Sequence, residues 1–135
     1  MNRNLISTVR VLTASIAALG FVAAAATAQA AAAGDAKNGA QVFMENCGDC
    51  HTAEKGAPNK IGPNLFGVVG RKSATAPGYM YSPAMMKAAL TWDVPTLQVY
   101  LMGPQKKVPG TKMGFPGFSD PMDEADAIAY LVTLK

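Results

Sequence analysis

The sequence predicts a small all-α domain in which long loops connect short helices. Three observations carry that reading. Apolar residues recur at helical spacing behind capping residues at four places. No stretch alternates apolar and polar residues cleanly enough for a strand, and no internal repeat is visible. From Cys47 to Tyr81, glycine and proline are too dense for long regular elements. A length of 135 residues allows one domain, and 50% apolar with 16% charged residues is not the composition of a disordered chain.

The first 30 residues read as a cleaved secretory leader. Asn2 to Arg10 carries two arginines and no acid, Val11 to Thr27 is apolar or small, and Ala28-Gln29-Ala30 has the small-x-small form of a signal-peptidase site. A membrane anchor is the alternative, but about 17 mostly small residues are short for a span. The folded domain is then 31–135. Asp35 can cap a helix from Ala36 to about Asn46, with Ala40, Phe43 and Met44 on one face. Gly39 weakens that helix unless another element packs closely against it. Asn64 to Val69 can make a helical turn. Ser82-Pro83 reads as an N-cap followed by proline at the first helical position, opening a helix to about Leu90. Asp93 opens another through Val94 to Met102, stopped by Gly103-Pro104. Asp120-Pro121 caps the last, Pro121 to Leu134, with Asp123, Glu124 and Asp126 near its positive end and Ala125, Ile128, Ala129 and Val132 as its apolar face.

Cleavage near Ala30 would remove Arg3 and Arg10, taking the basic count from 12 to 10 against 9 acids. A nearly neutral mature chain is a poor general nucleic-acid binder, which needs a basic excess to displace counterions. There is no Gly-rich phosphate loop and no HExxH helix. The only histidine, His51, sits beside Cys50, so no other is left to complete a triad. About 105 loop-rich residues form a modest core and usually need a staple. A bridge between Cys47 and Cys50 would close too short a loop to serve as one.

Cys47-Gly48-Asp49-Cys50-His51 is a C-x-x-C-H pattern, the signature of c-type haem attachment. Two thiols on one turn can add across the two vinyl groups of one porphyrin, and the adjacent imidazole then lies under the iron. A dithiol oxidoreductase shares the C-x-x-C spacing, but its motif follows a strand in a βαβ unit, and no such strand is visible. A structural zinc site needs four ligands, and this cluster supplies three.

Together with the motifs that follow it, the pattern resembles the class I, mitochondrial-type cytochromes c, particularly their periplasmic bacterial relatives. CGDCH at Cys47 to His51, IGPNLFGVVGR at Ile61 to Arg71, APGYMYS at Ala76 to Ser82, Thr91-Trp92, PGTKMGFPG at Pro109 to Gly117 and Ile128-Ala129-Tyr130-Leu131 fall in the family's order. The resemblance implies about four to five helices with long loops wrapped around one haem c, covalently attached through Cys47 and Cys50. It implies that His51 and Met113 are the axial iron ligands; Met113 is singled out among the methionines only by its PGTKM context. His/Met ligation raises the reduction potential and fills the sixth position, which suits an electron carrier rather than an enzyme. The enzyme alternative is a haem peroxidase or gas-binding protein in which Met113 does not stay bound.

By the same resemblance, the Pro63 carbonyl accepts the second ring N–H of His51. Tyr100 donates to the methionine sulfur, and Arg71, Tyr81 and Trp92 hold a haem propionate. Met85 stands where the family commonly has an asparagine, so the pocket's hydrogen-bond network departs from the family's. Gly39 gains a purpose, a close crossing of the first and last helices beside Phe43 and Tyr130. Lys106, Lys107 and Lys112 would surround the exposed haem edge, extended by Lys60, Lys72 and Lys87. The acids of the last helix would make the molecule dipolar. The expected partners are membrane respiratory or photosynthetic complexes: a quinol–cytochrome c reductase as donor, and a terminal oxidase or photosynthetic reaction centre as acceptor. The expected location is the periplasm, and the expected state is a monomer.

Overall fold

The structure, a computed structural model, describes residues 34–135. The expected leader, residues 1–30, lies outside the described residues. Five helices follow one another: α1 (Ala36–Asn46), α2 (Pro83–Ala88), α3 (Val94–Leu101), α4 (Pro104–Lys107) and α5 (Pro121–Thr133). Among the described residues there is no strand, only one isolated antiparallel bridge between Lys72 and Thr91.

The frame is the crossing of α1 and α5. Asp35 caps α1 by accepting the Lys37 N–H at 2.8 Å, and Asp120 caps α5 by accepting that of Met122 at 2.8 Å. At the crossing the backbones touch. A Cβ on Gly39 would stand 1.9 Å from the Asp126 carbonyl oxygen, so only glycine fits. Phe43 and Tyr130 meet there with ring centroids 5.3 Å apart. Asp126 ties the same spot with its carboxylate, which accepts the Asn38 amide at 2.5 Å and the Asp35 N–H at 2.6 Å. Those two donors hold its pKa below the usual carboxylate range. Val42, Phe43, Leu97, Leu101, Ile128 and Leu131 join α1, α3 and α5 in one core. Each such side chain contributes roughly 1.5–3 kcal/mol by leaving water.

Three predicted elements differ from what is observed. α2 ends at Ala88, not Leu90, because Ala89 is left-handed at φ 48°. Beyond it, both Leu90 backbone groups belong to Ser73: the carbonyl accepts its N–H at 2.8 Å and the N–H donates to its hydroxyl at 2.9 Å. Gly103-Pro104 ends α3 as expected but also starts α4, since proline needs no hydrogen-bond acceptor in a first turn. Asn64 to Val69 forms hydrogen-bonded turns instead of a helix, with Val68 N–H on the Leu65 carbonyl at 3.0 Å.

The long segment before α2 replaces regular structure with side-chain bonds. The Asn64 amide donates to the Glu54 and Ala57 carbonyls, both at 2.9 Å, and its oxygen accepts the Phe66 N–H at 2.7 Å. Backbone groups that no helix serves are thereby paired.

Glu124 is the exception to this pairing. It is 7% exposed, and among the described residues its Oε1 has no hydrogen-bond partner. Burial raises its pKa above the ordinary carboxylate value. With the folded pKa raised, its contribution to stability is complete below the unfolded pKa and lost as pH rises through the folded one. Glu124→Gln should therefore stabilise the protein at neutral pH by about 1 kcal/mol, a rise in thermal midpoint of roughly 4–8 °C. The gain should vanish near pH 4, which thermal melts across a pH series will read.

Candidate functional site

The last turn of α1 delivers the cysteines and the histidine to one place. The Gly48 N–H bonds the Phe43 carbonyl at 2.9 Å, and the Cys50 and His51 N–H groups bond the Cys47 carbonyl at 3.0 and 2.8 Å. This tight turn opens on a cleft of about 390 Å³. All nine residues predicted for the site line it: Cys47, Cys50, His51, Pro63, Arg71, Tyr81, Trp92, Tyr100 and Met113. Residues from opposite ends of the domain thus converge on a mostly apolar cavity.

On the histidine side, His51 Nδ1 lies 2.7 Å from the Pro63 carbonyl. A carbonyl only accepts, so Nδ1 carries the proton and Nε2 keeps its lone pair. Burial lowers the His51 pKa, outweighing the raising effect of the Pro63 bond, with Lys60 lowering it further. The ring is held neutral, the form that ligates a metal. Gly62 packs on that ring, where a Cβ would stand 2.3 Å from Cε1.

The Cys47 thiol is poorly suited to dithiol chemistry. Burial, reinforced by Cys50, pushes the Cys47 pKa up to about 11. Disulfide-exchange enzymes need the opposite shift, because the thiolate is the nucleophile. A free metal ion fits no better: among the described residues, no three His, Cys, Asp or Glu side chains converge to hold one.

On the methionine side, the Tyr100 hydroxyl donates to Met113 Sδ at 3.3 Å. Burial raises the Tyr100 pKa, so the proton is retained. Its ring packs against Trp92 with centroids 4.8 Å apart. Two residues escaped the sequence reading. The Thr111 hydroxyl sits 3.4 Å from that of Tyr100 and accepts the Met113 N–H at 3.3 Å. The Gln105 amide donates to the Thr111 and Met113 carbonyls. Thr111 was legible as part of PGTKM without a role; nothing in the sequence distinguished Gln105.

The group expected around a propionate is less uniform. The Arg71 guanidinium donates to the Phe66 carbonyl at 3.1 Å and the Asn64 carbonyl at 3.2 Å, so it braces the loop while lining the cleft. The Tyr81 hydroxyl accepts the Ala76 N–H at 3.2 Å and has its own proton to give. Met85 is buried in the cavity wall, apolar where a hydrogen-bonding side chain was the family's habit.

Of the lysines, Lys112 lines the cleft and donates to the Met80 carbonyl at 3.1 Å. Lys60 donates to the Gly48 carbonyl at 2.6 Å. Lys106 and Lys107 are exposed on α4, and Lys72 and Lys87 are exposed elsewhere. The acidic face expected on α5 is thinner than its sequence implied. Glu124 and Asp126 are buried, leaving Asp120 and Asp123 to meet solvent.

Two thiols on one turn, a neutral imidazole and a thioether, gathered in an apolar cleft, are a donor set that fits haem c. Known proteins agree. The family model for cytochrome c matches residues 36–135. A cytochrome c of Sesamum indicum is 51% identical over 98 residues, 73% of this chain and 88% of the relative. A cytochrome c2 of Rhodopila globiformis is 53% identical over 102 residues, 76% of this chain and 95% of its own. The solved structure of cytochrome cH from Methylobacterium extorquens superposes with a TM-score of 0.69 at 51% identity, covering 74% of this chain and 99% of that one. With the attachment motif, the five-helix class I fold and these likenesses in agreement, the chain belongs to the cytochrome c family, electron carriers that bind haem c covalently through a cysteine pair matched here by Cys47 and Cys50.

Proposed function

We propose that this protein is a periplasmic one-electron carrier with a single haem c ligated by His51 and Met113. One observation carries the reading: a neutral imidazole fixed through Nδ1 and a thioether fixed by a tyrosine line the same cleft as the two cysteines. Haem c would supply a one-electron iron couple. The chain's own residues do the rest. Pro63 orients the imidazole, Tyr100 holds the sulfur, and Met85 and Trp92 wall off water. Arg71, Tyr81 and Trp92 are assigned to a propionate. With His51 and Met113 both holding it, the iron would be closed to peroxide and gas, which suits electron transfer.

The leader-like residues 1–30 support export, and a bacterial cytochrome c2 among the relatives agrees with that reading. The optical spectrum of the purified ferric protein tests the function. A weak far-red methionine-to-iron charge-transfer band, with colour that survives denaturation, is expected. Covalent haem without that band would instead favour a peroxidase or gas-binding role.

The partners follow from charge. Lys106, Lys107 and Lys112 are proposed to dock the carrier on acidic surfaces of membrane complexes, a quinol–cytochrome c reductase as donor and a terminal oxidase or photosynthetic reaction centre as acceptor. Lys106→Glu with Lys107→Glu should slow reduction by such a donor roughly tenfold at low salt, converging with wild type as salt rises. Stopped-flow rates across an ionic-strength series check this, and rates equal to wild type throughout would remove α4 from the docking face.

A further inference from the structure

The loop that carries Met113 has no regular structure from Pro109 to Gly114, and it contains Gly110 at φ 87°. Such a segment opens easily unless it is tied. Its inner ties are the Thr111 and Tyr100 hydroxyls. It has two outer ties: Lys112 donates to the Met80 carbonyl at 3.1 Å, and Gln105 Nε2 lies 3.0 Å from the Thr111 carbonyl and 3.1 Å from the Met113 carbonyl, the tie that grips the ligand residue's own backbone. Carbonyl oxygens only accept, so the nitrogen end of the amide must face them, and its two N–H groups match the two acceptors one to one. The support beneath is rigid, because Pro104, the preceding residue, is fully buried.

We propose that Gln105 is a positioning residue: a latch that holds the Met113 loop closed and so limits how often the methionine leaves the place assigned to it above. The spectroscopic consequence rests on that assignment. The latch itself is a contact between two segments of polypeptide and does not. An exposed glutamine making one surface bond would lose most of its benefit to side-chain entropy. Two simultaneous bonds across the residue that bears the sulfur are a different matter, since breaking either leaves the other to reclose the loop.

The test uses ferric holoprotein and imidazole, which can take the sixth position only when the loop opens. Its apparent affinity therefore rises in proportion to the open fraction. Gln105→Glu keeps the shape but turns acceptors towards acceptors, and Gln105→Ala removes the latch. Both should bind imidazole about fivefold to tenfold more tightly than wild type, the effect of losing two modest hydrogen bonds. Gln105→Arg restores paired donors on a group that stays protonated and does not itself ligate, and it should return near wild type. Gln41→Gly, at an exposed position of α1, lowers overall stability without touching the loop and should leave imidazole affinity alone. Hydrogen exchange at the Thr111, Lys112 and Met113 amides is the second readout, expected to quicken in the Glu and Ala variants only. Unchanged affinity and exchange in Gln105→Glu, or an equal rise in Gln41→Gly, would overturn the latch. A wild type lacking the far-red band would overturn the ligation instead, and amide exchange would still decide the latch.

Discussion

Gly39→Val is expected to lower the thermal midpoint by about 15 °C or more, from roughly 3 kcal/mol of overpacking at about 4–8 °C per kcal/mol. The clash is with backbone, which cannot rotate aside: the new Cβ would lie 1.9 Å from the Asp126 carbonyl oxygen and 2.6 Å from its carbon. The helices must separate, and separation strains the two Asp126 carboxylate bonds and parts Phe43 from Tyr130. Because α1 ends at Asn46 and Cys47 is its C-cap, the attachment turn moves with it. Lower yields of haem-loaded protein should accompany the loss of stability. Lys37→Val, on the exposed side of the same helix, separates the crossing clash from the helix-propensity penalty of valine and should cost only about 0.5 kcal/mol. Melts of the two variants decide it; a Gly39→Val midpoint within a few degrees of Lys37→Val would show that the crossing tolerates a side chain.

Most helix boundaries were written locally, but the end of α2 and the start of α4 were not. Asp35, Ser82, Asp93 and Asp120 each place a side-chain oxygen at an N-cap, and all four helix starts were legible from that chemistry. The end of α2 depends on Ser73, 17 residues from Leu90, and no local pattern reveals that partnership. α4 was read as a stop because Gly-Pro breaks one helix as readily as it opens another. The bond network of Asn64 was similarly hidden, since an asparagine in a Gly- and Pro-rich segment looks like an ordinary loop residue.

The site divides the same way. Cys47, Cys50 and His51 announce themselves because their chemistry needs that spacing. Met113, Pro63, Arg71, Tyr81, Trp92 and Tyr100 were reachable only through family resemblance, as each type is commonly core or surface. The fold brings all of them to one cleft. Charge was where the sequence misled. Three acids and an N-cap aspartate crowd the start of α5, yet Asp126 faces inward to α1 and Glu124 is buried, so half of the charge run became a tie and a pH-sensitive liability rather than a solvated face.

Met113→Ala should abolish the far-red band and lower the reduction potential by a few tenths of a volt, a fraction of the roughly 0.8 V that axial ligands span. A thioether is a soft acceptor that favours ferrous iron, and water or an open position does not. Tyr100→Phe keeps the thioether but removes the hydroxyl's contacts with the sulfur and with Thr111, and should shift the potential far less. Met86→Ala and Met102→Ala, at side chains 58% and 45% exposed, should change neither band nor potential, which distinguishes one methionine among the several available. A band retained in Met113→Ala would reassign the ligand. Met113→Ala also sharpens the role of Gln105. Once the sulfur is gone, imidazole has no internal rival, and the open fraction of the loop no longer governs its binding in the same way. Gln105→Glu should then tighten imidazole binding in the wild-type background and add little in the Met113→Ala background. That non-additivity is the signature of two residues acting on one event. Equal effects in both backgrounds would mean that Gln105 acts on the cleft by some route other than the methionine.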